Sequence, residues 1–153
     1  MKYGENAHSP EGVKTKEFAV LLNDKDGGLA ELTDTLGNSG INIITLTMSS
    51  SRNSRQVRLI TSDELTCRDM LNHGKYEFTE DEIITVVIDD KPGSLAKILK
   101  KLDKSRVKVN STYIINKKDG RVEFVLGLDN PEEGRKLLFR KLGLDSTLQA
   151  VND

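Results

Sequence analysis

The sequence is poor in the residues that staple, stack or span. Among its 153 residues there is a single cysteine, Cys67, so no internal disulfide and no cysteine-built zinc centre can form. Tryptophan is absent, and three tyrosines and four phenylalanines are too few for a base-stacking surface. No apolar run approaches the roughly 20 residues that cross a bilayer, and the first residues carry no signal-peptide core. Neither charge sign dominates: 23 Lys plus Arg stand against 24 Asp plus Glu. That balance removes any global drive toward nucleic acid or an anionic membrane, and the simplest expectation is a cytoplasmic protein. No Ser-His-Asp set, paired general acid and base, or Walker-type phosphate loop can be assembled, so catalysis is not expected. Cys67 and His73 lie six residues apart, off the i, i+4 spacing, and no third ligand is evident. Neither a metal nor a cofactor is expected.

What the sequence does hold is a repeat. Asp24-Lys25-Asp26-Gly27-Gly28-Leu29-Ala30 returns 66 residues later as Asp90-Lys91-Pro92-Gly93-Ser94-Leu95-Ala96. An apolar run precedes each copy, Phe18-Ala19-Val20-Leu21-Leu22 and Ile83-Ile84-Thr85-Val86-Val87-Ile88. Both runs are too short for helices and read as buried strands. A helical stripe follows each motif: Leu29, Leu32 and Leu36, then Leu95, Ile98, Leu99 and Leu102. Asn38-Ser39-Gly40 marks the end of the first helix. The second ends near Ser105-Arg106 without a glycine.

Two further strands follow in each copy. The first begins at Ile41 or Val107 and turns at residues 50–54 or 117–120; Asp119-Gly120 there is a hairpin signal. The returning strands are expected over 56–61 and 121–128. A second helix then starts at Ser62 or Asp63 and at Asn130-Pro131-Glu132-Glu133. The latter combines an Asn cap with proline at the first helical position. Gly74 and Gly143 are the expected stops, with Leu65, Met70 and Leu71 on the buried face of the first and Leu137, Leu138 and Leu142 on that of the second, and closing strands are expected over 75–79 and 144–151. Glu80-Asp81-Glu82 reads as the whole linker.

The order β-α-β-β-α-β, twice, predicts an α+β fold of two ferredoxin-like units packed side by side, with antiparallel sheets and helices on one face. The divisions are a flexible arm over 1–16, a first unit over 17–80 and a second over 81–153. Leu21 and Val87 would point away from the helices. That face argues for oligomerisation, unless a bulge swaps faces within the strand.

The two motifs, their strand-helix-strand context and the element order together resemble the ACT domain, a small regulatory module that binds amino acids. The resemblance covers roughly residues 16–150. Asp90 to Ala96 followed by Ile98-Leu99 is close to the family's typical stretch, and Gly40-Ile41-Asn42-Ile43 matches its second strand. Asp26 stands where the family usually has proline, and the second copy reads Arg106-Val107-Lys108-Val109 where Gly-Ile-Asn-Ile is expected. The resemblance implies a stand-alone, non-catalytic sensor for an amino acid. It also implies a homodimer and a regulated enzyme or other protein as partner.

A helix start offers main-chain N–H groups without intrahelical partners. Here they would come from Gly28, Leu29 and Ala30, and from Ser94, Leu95 and Ala96. Such groups suit a carboxylate, and Gly27 and Gly93 would let it approach. Asp24 and Asp90 are candidate acceptors for the ammonium, as are carbonyls at the start of the second strand. Asn42 can donate and accept, whereas Lys108 in the matching place can only donate. The expected ligand-binding set is therefore Asp24, Lys25, Asp26, Gly27, Gly28, Leu29, Asn42 and Ile43 in the first copy. In the second it is Asp90, Lys91, Pro92, Gly93, Ser94 and Leu95. The first copy is the expected better site. The competing reading is that each glycine serves only its turn and each aspartate only its helix start. The alternative function is then a protein–protein or dimerisation module with no small ligand.

The helices of the second copy are basic: Lys97, Lys100, Lys101, Lys104, Arg135, Lys136, Arg140 and Lys141. Those of the first carry Glu31, Asp34, Glu64 and Asp69. A solvated face is the first reading of this contrast. A phosphate-facing surface is the second, and charge pairing between copies or subunits the third.

Overall fold

A computed structural model describes residues 15–23, 28–141 and 148–150. The chain divides into two compact units, one of Lys16–Asp81 and one containing Glu82–Asp153. In chain order the elements of the first are β1 (Thr15–Leu22), α1 (Gly28–Asn38), β2 (Ile43–Ser51), β3 (Ser54–Thr61), α2 (Glu64–His73) and the start of β4 (Glu77–Asp89). The second continues along β4 into α3 (Ser94–Lys104), β5 (Val109–Lys118), β6 (Arg121–Leu128), α4 (Pro131–Leu138), β7 (Phe139–Lys141) and β8 (Leu148–Ala150). Each unit has the ferredoxin-like order. The strands run β2-β3-β1-β4 in the first and β4-β6-β5 in the second.

Alternation places the cores. In the first unit Phe18, Val20 and Leu22 of β1 meet Leu32 and Leu36 of α1, Val57 and Leu59 of β3, and Cys67 and Leu71 of α2, with Met70 packed against them; Leu65, expected on that face, is exposed instead. In the second, Ile84, Val86 and Ile88 of β4 meet Ile98 and Leu102 of α3, Leu126 and Leu128 of β6, and Leu138. Each such fully buried aliphatic side chain contributes about 1.5–3 kcal/mol. α4 lies so close to β6 that a side chain on Gly134 would clash with Leu128.

The opposite faces differ from expectation. Leu21 and Val87 are half-buried, but Ala19, Ile60, Ile83 and Val125 are buried within the chain. These faces are therefore not open apolar surfaces waiting for a second subunit. No register shift interrupts β1–β3 or β4–β6, so strict alternation, not a bulge, puts Leu21 and Val87 there.

The acidic stretch 80–82 is not a linker but the middle of β4. It stays in strand because its even positions face the helices and find cations there. Arg68 on α2 grips Glu80 with two hydrogen bonds, 2.7 and 2.5 Å. Arg135 on α4 reaches Glu82 at 2.5 Å. The Arg68 hydrogen bond holds the Glu80 carboxyl below its ordinary range, and hydrogen bonding to Thr66 does the same for Asp63, the cap of α2.

Three helices end in the same way. The residue after the C-cap turns left-handed and the next amide bonds back to the carbonyl five residues earlier. Ile41 donates to Leu36, Tyr76 to Leu71 and Val107 to Leu102, each at 3.0 Å. The left-handed residues are Gly40 (φ 72°), Lys75 (φ 56°) and Arg106 (φ 59°). Gly74, the expected stop of α2, is the right-handed residue just before Lys75. Arg106 takes glycine's part without being one. At the hairpin, Asp119 and Gly120 both have positive φ, 54° and 72°, the pattern of a type I′ turn.

The end of the second unit also departs from expectation. α4 stops at Leu138, because Phe139 is extended (φ −124°, ψ 143°) and buried in the core. Leu142 and Gly143 lie outside the described residues. β8 falls within the strand expected over 144–151, but it pairs antiparallel with β7 in a separate two-stranded sheet. Among the described residues no helix is long and apolar enough to cross a membrane.

Two outcomes follow from these junctions. Arg106→Gly should stabilise the chain by about 1 kcal/mol, because a side chain in the left-handed region carries roughly that strain; urea melts of the two proteins measure it. Asp63 and Glu80 have folded-state pKa values below their unfolded ones. The stability they add is complete above the unfolded carboxylate range and lost as pH falls through the folded values. Urea midpoints should therefore drop on acidification below about pH 4, and Glu80→Gln should flatten that dependence.

Candidate functional site

The starts of the four helices among the described residues are not alike. Asp63 caps α2, accepting from the Thr66 N–H at 3.0 Å and its hydroxyl at 2.6 Å. Asn130 caps α4 through the Glu133 N–H at 3.1 Å. α3 instead opens on Gly93, at φ 87° and ψ −10°, with no side-chain cap. The Ser94 N–H donates to the Lys91 carbonyl and the Lys97 N–H to the Gly93 carbonyl, both at 3.2 Å. Between them, the N–H groups of Leu95 and Ala96 have no hydrogen-bond partner among the described residues. The side chain of Leu95 packs against the core, which fixes the direction of these two donors.

Asp90 and Lys91 belong to the same corner. The Asp90 N–H donates to the Gly120 carbonyl at 2.9 Å, tying the loop to the β5–β6 turn. Its carboxylate accepts from Lys117 Nζ at 3.2 and 3.1 Å and does not cap α3. Both side chains of that pair are about half exposed, so the bond is weak and exchangeable. Asp89 lies 3.6 Å from Arg121 and 4.0 Å from Lys91. Pro92 is exposed.

In the first unit Asp24, Lys25, Asp26 and Gly27 lie outside the described residues. α1 begins at Gly28, and Leu29 packs against the first core.

Asn42 and Ile43 are elsewhere. Leu22, at the end of β1, pairs with Arg55, whereas Ile43 pairs with Thr61, so the glycine loop and the start of β2 are at opposite ends of β3. The second unit repeats this separation. Lys108 precedes β5, whose ten residues span about 30 Å to Lys117 beside Asp90. At this far end both units close the same ring. The Asn42 N–H donates to Ser62 Oγ and the Ser62 N–H to the Asn42 carbonyl, both at 2.9 Å. The Lys108 N–H donates to Asp129 Oδ1 at 2.8 Å and the Asp129 N–H to the Lys108 carbonyl at 3.0 Å. The carbonyls considered as ammonium acceptors thus already accept one bond each.

A groove of about 1010 Å³ lies beside this second ring, between the end of α3 and the start of β5. Leu99, Val107 and Val109 give it apolar wall, Lys100, Arg106 and Lys108 positive charge, and Asp103 a carboxylate. Of these residues the sequence points to Lys108, at the start of the second strand, and to Lys100, on the basic helix face. The groove exists because β5 is an edge strand, and that is a property of strand order rather than of any local pattern.

Burial pushes the Cys67 thiol up to about 11; it packs as a small core residue. Among the described residues no His, Cys, Asp and Glu cluster could hold a metal.

A family model described as an ACT domain pair matches residues 13–149. A solved structure of a protein from Bacteroides thetaiotaomicron is similar, with 22% identity and a TM-score of 0.74 over 82% of this chain and 86% of that one. The ligand-free regulatory subunit of aspartate kinase from Thermus thermophilus matches at 14% identity and a TM-score of 0.56, over 81% and 89%. Its counterpart from Thermus flavus gives 14% and 0.56, over 80% and 88%. At these identities the likeness is one of fold. No match was found among curated proteins.

The two glycines that open the first helix of each unit should respond differently to a methyl group. Gly93→Ala should destabilise the chain by about 1–2 kcal/mol through its left-handed φ, since nothing lies within 4 Å to clash. At Gly28 an added Cβ would make only ordinary contacts, 3.7 and 3.9 Å. Gly28→Ala should therefore be neutral, or stabilising by up to about 1 kcal/mol. Urea denaturation of both variants reads the contrast.

Proposed function

The chain belongs to the ACT domain pair family, and from that premise we propose that it is a non-catalytic regulatory protein whose ligand is an amino acid. The observation that carries this reading is the uncapped start of α3. Two helices of the chain satisfy their first amides with a side chain. The helix behind the glycine loop leaves the Leu95 and Ala96 amides to a ligand. A carboxylate would accept from both, helped by the helix dipole by about 0.3–1 kcal/mol. The ligand's ammonium would take the place of Lys117 on Asp90, one exposed cation exchanged for another. Gly28 and Leu29 would serve in the same way behind the loop of Asp24, Lys25, Asp26 and Gly27. Asn42 and Ile43 would touch a ligand only from the far end of a unit, so a ligand spanning both clusters needs a second unit or subunit.

Regulation requires that the ligand favour one arrangement of the protein over another. The regulated partner would be an enzyme or another protein that reads that arrangement. The second reading, a docking or dimerisation module without a small ligand, is favoured by exposed Ile44, Met48 and Ile114 on the edge strands.

Thermal unfolding in the presence of each amino acid tests the proposal. A ligand at 100 times its Kd adds about 2.7 kcal/mol, a rise of roughly 5–10 °C for a chain of this size. The rise should vanish in Gly93→Val if the second loop is the site, and should shrink at least tenfold in affinity in Asp90→Asn. Absence of any rise across the amino acids at millimolar concentration removes the sensor reading in favour of the docking module.

A further inference from the structure

The first unit carries an arginine where the second buries a valine. At the end of β1, Leu22 pairs with Arg55 of β3, and Arg55 pairs with Ser50 of β2. The matching row of the second unit is Ile88, Val122 and Lys117. Side chains directly across a sheet share a face. Leu22 belongs to the core under the helices, as do Val57 and Leu59 along β3, so Arg55 lies on the helix side. Val122 is 3% exposed and part of the second core, whereas Arg55 is half-buried.

No described residue neutralises Arg55. It forms no ion pair among them, and its one hydrogen bond there is to the Met48 sulfur at 3.9 Å, a weak acceptor. The other half-buried arginines are each spent on a glutamate: Arg58 on Glu17, Arg68 on Glu80 and Arg135 on Glu82. In the second unit the cation of the same row, Lys117, is answered by Asp90. Partial burial of a charge without a counter-charge costs stability. Arg55 is also close to the start of α1. A Cβ added to Gly28 would lie 3.9 Å from that of Leu22, the cross-strand neighbour of Arg55.

We propose that Arg55 selects the ligand of the first unit, and that this ligand is an amino acid with a side-chain carboxylate. The inference rests on the ligand reading above, in which the α-carboxylate takes the amides that open α1. The second carboxylate displaces the Met48 sulfur and meets the guanidinium fork in two charge-assisted hydrogen bonds. Val122 fills the same place in the second unit, so the selection belongs to the first alone.

Isothermal titration of the full chain with aspartate, glutamate and their two amides reads the selection. In the wild type an acid should bind about tenfold or more tightly than its amide, and less so as salt rises. Arg55→Met keeps the length of the aliphatic stem and removes the charge. It should erase the preference by weakening the acid and leaving the amide as it was. In the ligand-free chain it should not lower the urea midpoint. Arg55→Lys keeps the charge without the fork and should retain part of the preference. An acid bound no better than its amide, or a preference that survives in Arg55→Met, overturns the proposal and leaves the amino-acid reading standing. A lower urea midpoint in ligand-free Arg55→Met overturns it too, because the guanidinium would then serve the fold. Silence from every amino acid, neutral ones included, removes the amino-acid reading and this inference with it.

Discussion

The main-chain amides at the start of α3 are the constraint from which the rest can be argued. Nearly every buried or junctional N–H in a folded chain has a partner, and this chain observes that rule with some care elsewhere. It spends Asp63 and Asn130 on the other helix starts. It closes the far end of each unit with a ring of two hydrogen bonds. It bends three helix ends into left-handed turns so that freed carbonyls are used. Against that background two adjacent donors behind Gly93 stand without a partner among the described residues, on a helix whose next turn is locked into the core, and the proposed ligand reading rests on them.

The same bookkeeping explains why the two ends of a unit have different characters. At the glycine-loop end, polar groups are exposed and loosely paired: Asp90 with Lys117, Asp89 with Arg121. At the other end the chain is cross-tied, and the groove beside it takes its shape from that tie. Lys108 lines the groove while its amide and carbonyl are both held by Asp129. An edge strand and a helix end thus become a surface of definite form, carrying three cations and one carboxylate on an apolar wall.

Much of this was legible in the sequence. The 66-residue repeat gave two units. Asp-Gly gave the turn at 119–120, and Asn-Pro-Glu-Glu gave the start of α4. What was not legible has a physical reason in each case. Glu80-Asp81-Glu82 looks like a linker because its charges say solvent; the arginines that neutralise two of them come from α2 and α4, out of reach of a local pattern. Phe139 ends α4 because an extended backbone buries its ring, a choice made by the core rather than by the missing glycine. Arg106 hid the third copy of a turn that glycine announces at residue 40. The candidate site was read as one group because its residues are close in sequence. A crossover helix returns the chain to the far end of the sheet before the next strand begins, and so Gly93 and Lys108 part company.

The burial of Cys67 has a practical corollary. It is the chain's sole thiol, fully enclosed in the first unit and kept in its unreactive protonated form at neutral pH. An alkylating reagent can reach it only when that core opens. The rate of its modification is therefore a clock for the opening of the first unit, built into the natural sequence and silent about the second.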